Sequence, residues 1–149
     1  MSLTMDKDAE AMGRITTQLI ITNRLDQVLA ARGFISPDAV RSVILEDVLV
    51  DTGATTLCLP ADVIAQLGLT MKEEVTVATA TTIETARLFE DARIALLDRE
   101  ITVECLEVPE GRPPLLGVIP LEALGVELDL QDQKMRFLPK RGAKTYYTA

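Results

Sequence analysis

Residues 49–57 read Leu-Val-Asp-Thr-Gly-Ala-Thr-Thr-Leu. An apolar approach, Val48-Leu49-Val50, runs straight into the carboxylate of Asp51, and Thr52-Gly53 then turn the chain. A strand that ends in Asp-Thr-Gly has a modest explanation, an aspartate capping a backbone amide in the turn. Its other explanation is a carboxylate that does chemistry. The residues that are missing narrow that chemistry. There is no histidine, so Ser-His and Cys-His nucleophile pairs cannot form within the chain. The two cysteines, Cys58 and Cys105, lie far apart without metal-ligand spacing. Both sit in apolar, strand-like surroundings and are expected as buried free thiols. The glycines are scattered and make no phosphate-cradling loop. What remains for catalysis is mainly carboxylates, with no metal and no cofactor expected.

A chain of 149 residues, 48% apolar and 26% charged, suits one globular domain with a proper core. It contains no apolar run near the roughly 20 residues of a membrane helix. The first ten residues are polar and acidic, unlike a signal peptide, so a cytoplasmic location is expected. A net charge of −8 disfavours nucleic acid as a partner. Lys140, Arg141 and Lys144 form the one basic cluster, read as part of a solvated tail.

The elements that must position Asp51 follow from periodicity. Residues 1–13 read as a flexible leader and 140–149 as a C-terminal tail. From Arg14 the pattern alternates as a strand, with Ile15, Thr17, Leu19 and Ile21 on one side. Asn23 to Asp26 reads as a turn, Gln27 to Ala31 as strand or helix, and Ser36-Pro37-Asp38 as a loop. Ser42 to Val50 is the strand leading into Asp51. Leu59 to Leu69 predicts a short helix, with Pro60 in its first turn and Gly68 as its cap. Residues 72–97 read as two strands joined by a Thr-rich connection, and Ile101 to Val108 alternates again. Leu115-Leu116-Gly117 precedes a second short helix over Pro120–Leu124, capped by Gly125. Leu128 to Leu138 reads as a closing hairpin. Many short strands, one or two short helices and tight turns predict an all-β, closed barrel-like domain over 14–139. Both helices follow an apolar run and end in Leu-Gly plus an apolar residue. An internal duplication explains this; so does the commonness of Pro-start and Gly-stop punctuation.

Asp51-Thr52-Gly53-Ala54, entered from Val48-Leu49-Val50, resembles the active-site loop of retropepsin-like aspartic proteases. Leu115-Leu116-Gly117 with the short helix after it resembles that family's second landmark, where two apolar residues and a glycine pass beside the catalytic loop. The first helix, the hairpin between the landmarks and the terminal strand Met135-Arg136-Phe137-Leu138 fall in the same order. The likeness covers roughly 14–139 and is nearest to single-domain bacterial members. It implies the acid-protease fold, Asp51 as the catalytic residue, and Thr52, Gly53 and Ala54 as its loop. It further implies a flap at Thr79, Ala80, Thr81 and Thr82, with Leu116 and Gly117 as the second landmark.

Peptide hydrolysis without a metal or nucleophile can use two carboxylates facing one water. One takes a proton from the water and the other donates to the scissile carbonyl oxygen. Two carboxylates about 3 Å apart cannot both ionise, so they share a proton and titrate as a unit. This chain has a single Asp-Thr-Gly; Asp47 and Asp129 do not sit in comparable turns. The partner of Asp51 is therefore expected to be Asp51 of a second copy across a twofold axis. Gly53 lets the loop turn tightly, and Thr52 is implied to bond across that axis. Ala54 lacks the hydroxyl that would favour the charged carboxylate, which predicts a less acidic working range than with serine there. The flap would cover an extended peptide bound through its backbone, with Val77, Ile83 and Leu116 as possible apolar lining. Leu116 reads more simply as core. A glycine is usual near a flap tip, and none occurs between Gly68 and Gly111. Two classes of function remain open: a homodimeric aspartic endopeptidase acting on polypeptide, and a dimeric peptide-binding module of the same fold. A plain structural β domain would need both landmarks to be accidental.

Overall fold

The computed structural model describes residues 14–139. The expected leader 1–13 and tail 140–149, with Lys140, Arg141 and Lys144, lie outside the described residues. In chain order the strands are β1 (Thr16–Asn23), β2 (Ser42–Val50), β3 (Leu57–Pro60), β4 (Thr70–Ala78), β5 (Ile83–Leu96), β6 (Arg99–Val108), β7 (Leu115–Leu116), β8 (Val126–Asp129) and β9 (Lys134–Phe137). Three short helices interrupt them: α1 (Arg24–Ala31), α2 (Ala61–Leu67) and α3 (Val118–Leu124). The strands run in the order β1-β2-β7-β3-β6-β5-β4, and β1 also pairs with β5. That last pairing closes a six-stranded ring and leaves β4 outside it, bonded only to β5. The pair β8-β9 forms a separate two-stranded sheet. The fold is all-β and barrel-like, as expected from the sequence.

The segment left open as strand or helix, Gln27 to Ala31, is helix, and that helix starts earlier than the residues suggested. Asn23 to Asp26 is no loose turn but the start of α1. Asn23 lies buried at the end of β1, and its Oδ1 accepts the Asp26 N–H at 3.0 Å, an N-terminal cap. Its Nδ2 donates to the carbonyls of Leu67 (2.9 Å) and Gly68 (3.3 Å), closing the C-terminus of α2. One asparagine thus starts one helix and ends another. Asp26, only 5% exposed, takes Arg41 Nε at 2.9 Å, Nη2 at 3.0 Å and the Arg41 N–H at 3.0 Å. The Arg41 guanidinium holds the Asp26 carboxyl below its usual range, against the opposing effect of burial. The helix after Asp51 is shorter than expected. Leu57–Pro60 is strand, and Pro60 stands at the N-cap of α2 rather than in its first turn.

The duplication is visible in three dimensions. A shift of 57 residues carries α2 onto α3, both seven residues long. Each ends on a glycine in the left-handed region, Gly68 at φ 64° and Gly125 at φ 72°, and each buries two leucine-type positions, Ile64/Leu67 and Leu121/Leu124. The same shift carries β2 onto β6 and β3 onto the β7 segment. Strand register obeys it as well: the parallel pair Leu49↔Leu115 maps onto Cys58↔Leu106, and Val50↔Leu116 onto Leu59↔Glu107. The two halves enclose one core, built from Leu19, Ile21, Val48, Leu57, Leu59, Ile94, Leu96 and Leu116 among others. Cys105 belongs to this core, and both cysteines are buried and free. No helix among the described residues is long and apolar enough to cross a membrane.

Candidate active site

Strand β7 lies between β2 and β3, parallel to the first and antiparallel to the second. The loop 51–56 joins β2 to β3 and must therefore arch around the end of β7. The arch is fixed by backbone bonds. Asp51 N–H donates to Leu116 O at 3.0 Å. Beyond Leu116 the chain turns back: Gly117 N–H donates to Thr56 O (3.1 Å), Val118 N–H to Ala54 O (2.9 Å) and Ile119 N–H to Thr55 O (3.0 Å). The start of α3 thus satisfies its unpaired N–H groups with three consecutive carbonyls of the Asp51 loop. Only glycine fits at 117. A Cβ there would lie 2.5 Å from Thr56 O and 2.6 Å from Ala54 O, both backbone atoms. This close approach is the physical content of the Leu-Leu-Gly landmark.

Within the loop, Asp51 Oδ1 accepts the Gly53 N–H at 2.8 Å, and Ala54 N–H donates to Asp51 O at 3.1 Å. A Cβ on Gly53 would stand 3.0 Å from the same carboxylate oxygen, so glycine keeps that oxygen accessible. Asp51, Gly53 and Ala54 line a cavity of about 890 Å³ under the β4–β5 hairpin. Its walls are largely aliphatic: Val75 and Val77 from β4, Leu88 from β5, and Val103, Leu106 and Leu115 opposite. Thr52, the next residue after Asp51, belongs to a different surface. It lines a second cavity of about 640 Å³ with Leu121, Val126, Leu128, Leu130 and Leu138. Leu130 is 71% exposed there.

Of the four residues at the hairpin tip, Thr79 reaches the cavity, while Ala80, Thr81 and Thr82 project beyond it as exposed residues. The tip turns without glycine because the Thr79 hydroxyl closes it. Thr79 Oγ1 accepts the Thr82 N–H at 2.9 Å, and Thr79 N–H donates to Thr82 O at 2.8 Å. None of the four has a positive φ, so none needs to be glycine. Of the expected apolar lining, Val77 faces the cavity. Ile83 does not, being 77% exposed on the hairpin's outside, and Leu116 is fully buried in the core. Its neighbour Leu115 takes the lining position, because alternate residues of β7 point to opposite sides. Asp47 and Asp129 lie away from the cavity; Asp129 instead accepts the Asp132 N–H and Arg136 Nη2.

Sequence reasoning missed two wall residues with polar chemistry. Cys58, read as a simple buried thiol, borders the cavity near Asp51. Burial first, and then the Asp51 charge, push its thiol up to about 11, so it stays protonated and is no nucleophile at neutral pH. Glu104 also lines the cavity, and its backbone carbonyl accepts Thr56 Oγ1 at 3.0 Å. The alternation of β6 placed Glu104 and Leu106 on one face, and that signal was available. Among the described residues no group of three or more His, Cys, Asp or Glu side chains could hold a metal.

A strand-borne Asp-Thr-Gly loop, locked to a Leu-Leu-Gly turn inside a closed β barrel, defines an aspartic-protease type of domain. The family model described as "gag-polyprotein putative aspartyl protease" matches residues 46–123, more than half of the chain. The chain belongs to that family, and the match takes in both the Asp51 loop and the Gly117 turn. No curated protein matches it.

Proposed function

We propose that the protein is a homodimeric aspartic endopeptidase that hydrolyses extended polypeptide through a water held between two Asp51 carboxylates, one from each protomer. One observation carries this reading: Asp51 and Thr52, adjacent in sequence, line two different surfaces. The carboxylate edges an aliphatic cavity sized for peptide side chains. The threonine edges an apolar surface that a second copy would cover, with its hydroxyl free to bond across the axis. The terminal segment Met135–Leu138, the end of β9 and the residue after it, belongs to this interface, since Leu138 lines the same surface as Thr52. With the two carboxylates sharing one proton, the ionised Asp51 accepts a proton from water and the protonated one donates to the scissile carbonyl oxygen. Leu116 O and the Gly53 N–H hold each Asp51 in place while this happens. The β4–β5 hairpin, with Thr79 at its inner edge, is the cover that excludes water. The bacterial single-domain type and a cytoplasmic location are part of this reading.

The alternative, a peptide-binding module, drew support from the glycine-free hairpin tip. The Thr79 turn removes that support, because the tip forms without strain. The deciding experiment is cleavage of an unfolded mixed-sequence protein from mildly acidic to neutral pH, comparing wild type with Asp51→Asn, beside the mass of each in solution. Cutting by a wild-type dimer and none by the variant is expected. A strict monomer that cuts would overturn the shared-dyad mechanism, and dimers that bind peptide without cutting would establish the module.

A further inference from the structure

The proposed active site leaves one wall residue unexplained. Among the described residues, Glu104 is the one charged residue besides Asp51 on the lining of the 890 Å³ cavity, and no lysine or arginine lines it. Its carboxylate is partnered by Lys72, which reaches from β4 on the opposite side of the hairpin. Both side chains are nearly half exposed, 43% for Lys72 and 45% for Glu104. Exposed pairs of this kind contribute little and exchange readily with other partners.

The local charge does not balance. Glu104 raises the affinity of Lys72 for its proton most, and Glu73 and Glu90 add to the effect. Lys72 bonds Glu104, Glu73 follows it on β4, and Glu90 lies on the paired strand opposite Thr70, while Asp51 and Glu104 give the cavity lining two acidic residues. A second cation would be welcome there. Glu104 is also held in fixed relation to the catalytic loop, because its carbonyl accepts Thr56 Oγ1. A peptide extended through the cavity would carry one side chain past Glu104 at a set number of residues from the scissile bond.

We infer that Glu104 is a specificity residue that reads a lysine or arginine side chain of the substrate, so that the protein selects basic over neutral and acidic polypeptide. The inference rests on the peptide groove of the proposed function and names its substrate class. The incoming cation shares or replaces the bond from Lys72, while the aliphatic walls hold apolar residues on either side. Selection by charge at one position and by shape at its neighbours is how such grooves discriminate.

The test separates binding from cleavage. Peptides of one apolar sequence, with Lys, Ala or Glu moved through each position, are titrated against Asp51→Asn protein at low and high salt. At one position Lys should tighten binding about fivefold to tenfold over Ala, Glu should weaken it, and salt should erase the difference. Adding Glu104→Gln should remove the lysine preference, bringing the Lys and Ala peptides to equal affinity. Adding Lys72→Met, which frees Glu104, should enlarge the preference. Equal binding of Lys and Ala peptides at every position overturns the inference, as does a preference that survives Glu104→Gln. If wild type cuts peptides without a basic preference, the endopeptidase stands and this inference falls. A basic preference in binding without any cutting would leave the inference standing and the endopeptidase fallen.

Discussion

The barrel contains two halves built to one plan, and only one of them carries the Asp-Thr-Gly loop. The loop 51–56 and its counterpart 57 residues later, 108–113, both leave a long strand and lead through a short one into a seven-residue helix. The first carries Asp-Thr-Gly-Ala and the second Val-Pro-Glu-Gly. Asp51 therefore corresponds to Val108. The halves also treat the residue before the helix differently. In the first it is Pro60, which needs only its own extended backbone. In the second it is Gly117, wedged against carbonyls of the other half's loop. The second half carries no such loop and instead clamps that of the first. With one such loop per chain, the proposed dyad draws its second carboxylate from a second copy.

The sharpest way to break that comparison is Asp51→Asn. It should lower kcat/KM by about 10²-fold to 10⁴-fold or more, measured on unfolded protein substrate, with the thermal melt little changed. Substituting Val108, its counterpart, by Ala should leave the chemical step intact; equal losses from both would end the division of labour. Next in size is the clamp. Gly117→Ala should destabilise by about 1–3 kcal/mol through overpacking against backbone, read by urea unfolding, and should abolish cleavage even where the protein stays folded. Pro60→Ala, at the matched position, should do neither.

A third test addresses helix α1, whose counterpart 57 residues later is the β4–β5 tip and the start of β5. Asp26→Asn should cost roughly 1–3 kcal/mol because Arg41 loses its partner. Asp26 has a lowered folded-state pKa, so its contribution is present above the unfolded value of about 3.9 and is lost as pH falls through the folded one. Acid unfolding of wild type should therefore steepen below about pH 4, and the variant should lack that component. The smallest effect belongs to the loop itself. Ala54→Ser adds a hydroxyl donor near the carboxylates and should move the acid limb of the pH–rate profile down by about half a unit. Superimposable profiles would show that position 54 does not tune the dyad.

Strand alternation, the Gly-ended helices and the two landmarks were legible in the sequence because each is a local pattern. The start of helix α1 was not. Asn23 and Asp26 read as turn residues, and their helical role depends on Arg41 and on the end of α2, far along the chain. The division between Leu115 in the cavity and Leu116 in the core was equally hidden, since a two-residue strand shows no period. Absence of glycine at 79–82 looked like a defect until the Thr79 hydroxyl was seen closing the turn. Glu104 was missed for a different reason: it sits on a strand that reads as ordinary, and only the hairpin crossing above it makes it a wall.

Strand β5 has one further consequence. Residues Ile83 to Arg87 bond only to β4, outside the ring; Leu88 and Phe89 also bond to β6, and residues from Ala92 bond to β1 and β6, within it. Asp91, at φ 67°, marks the change. One continuous strand is thus an arm at one end and a stave at the other. Its backbone amides should exchange with solvent deuterium at two rates, fast before Leu88 and slow after Asp91, because opening the arm leaves the ring unbroken. Peptide bound under the hairpin should slow the first set and leave the second alone, so this one strand can report occupancy of the groove without any turnover.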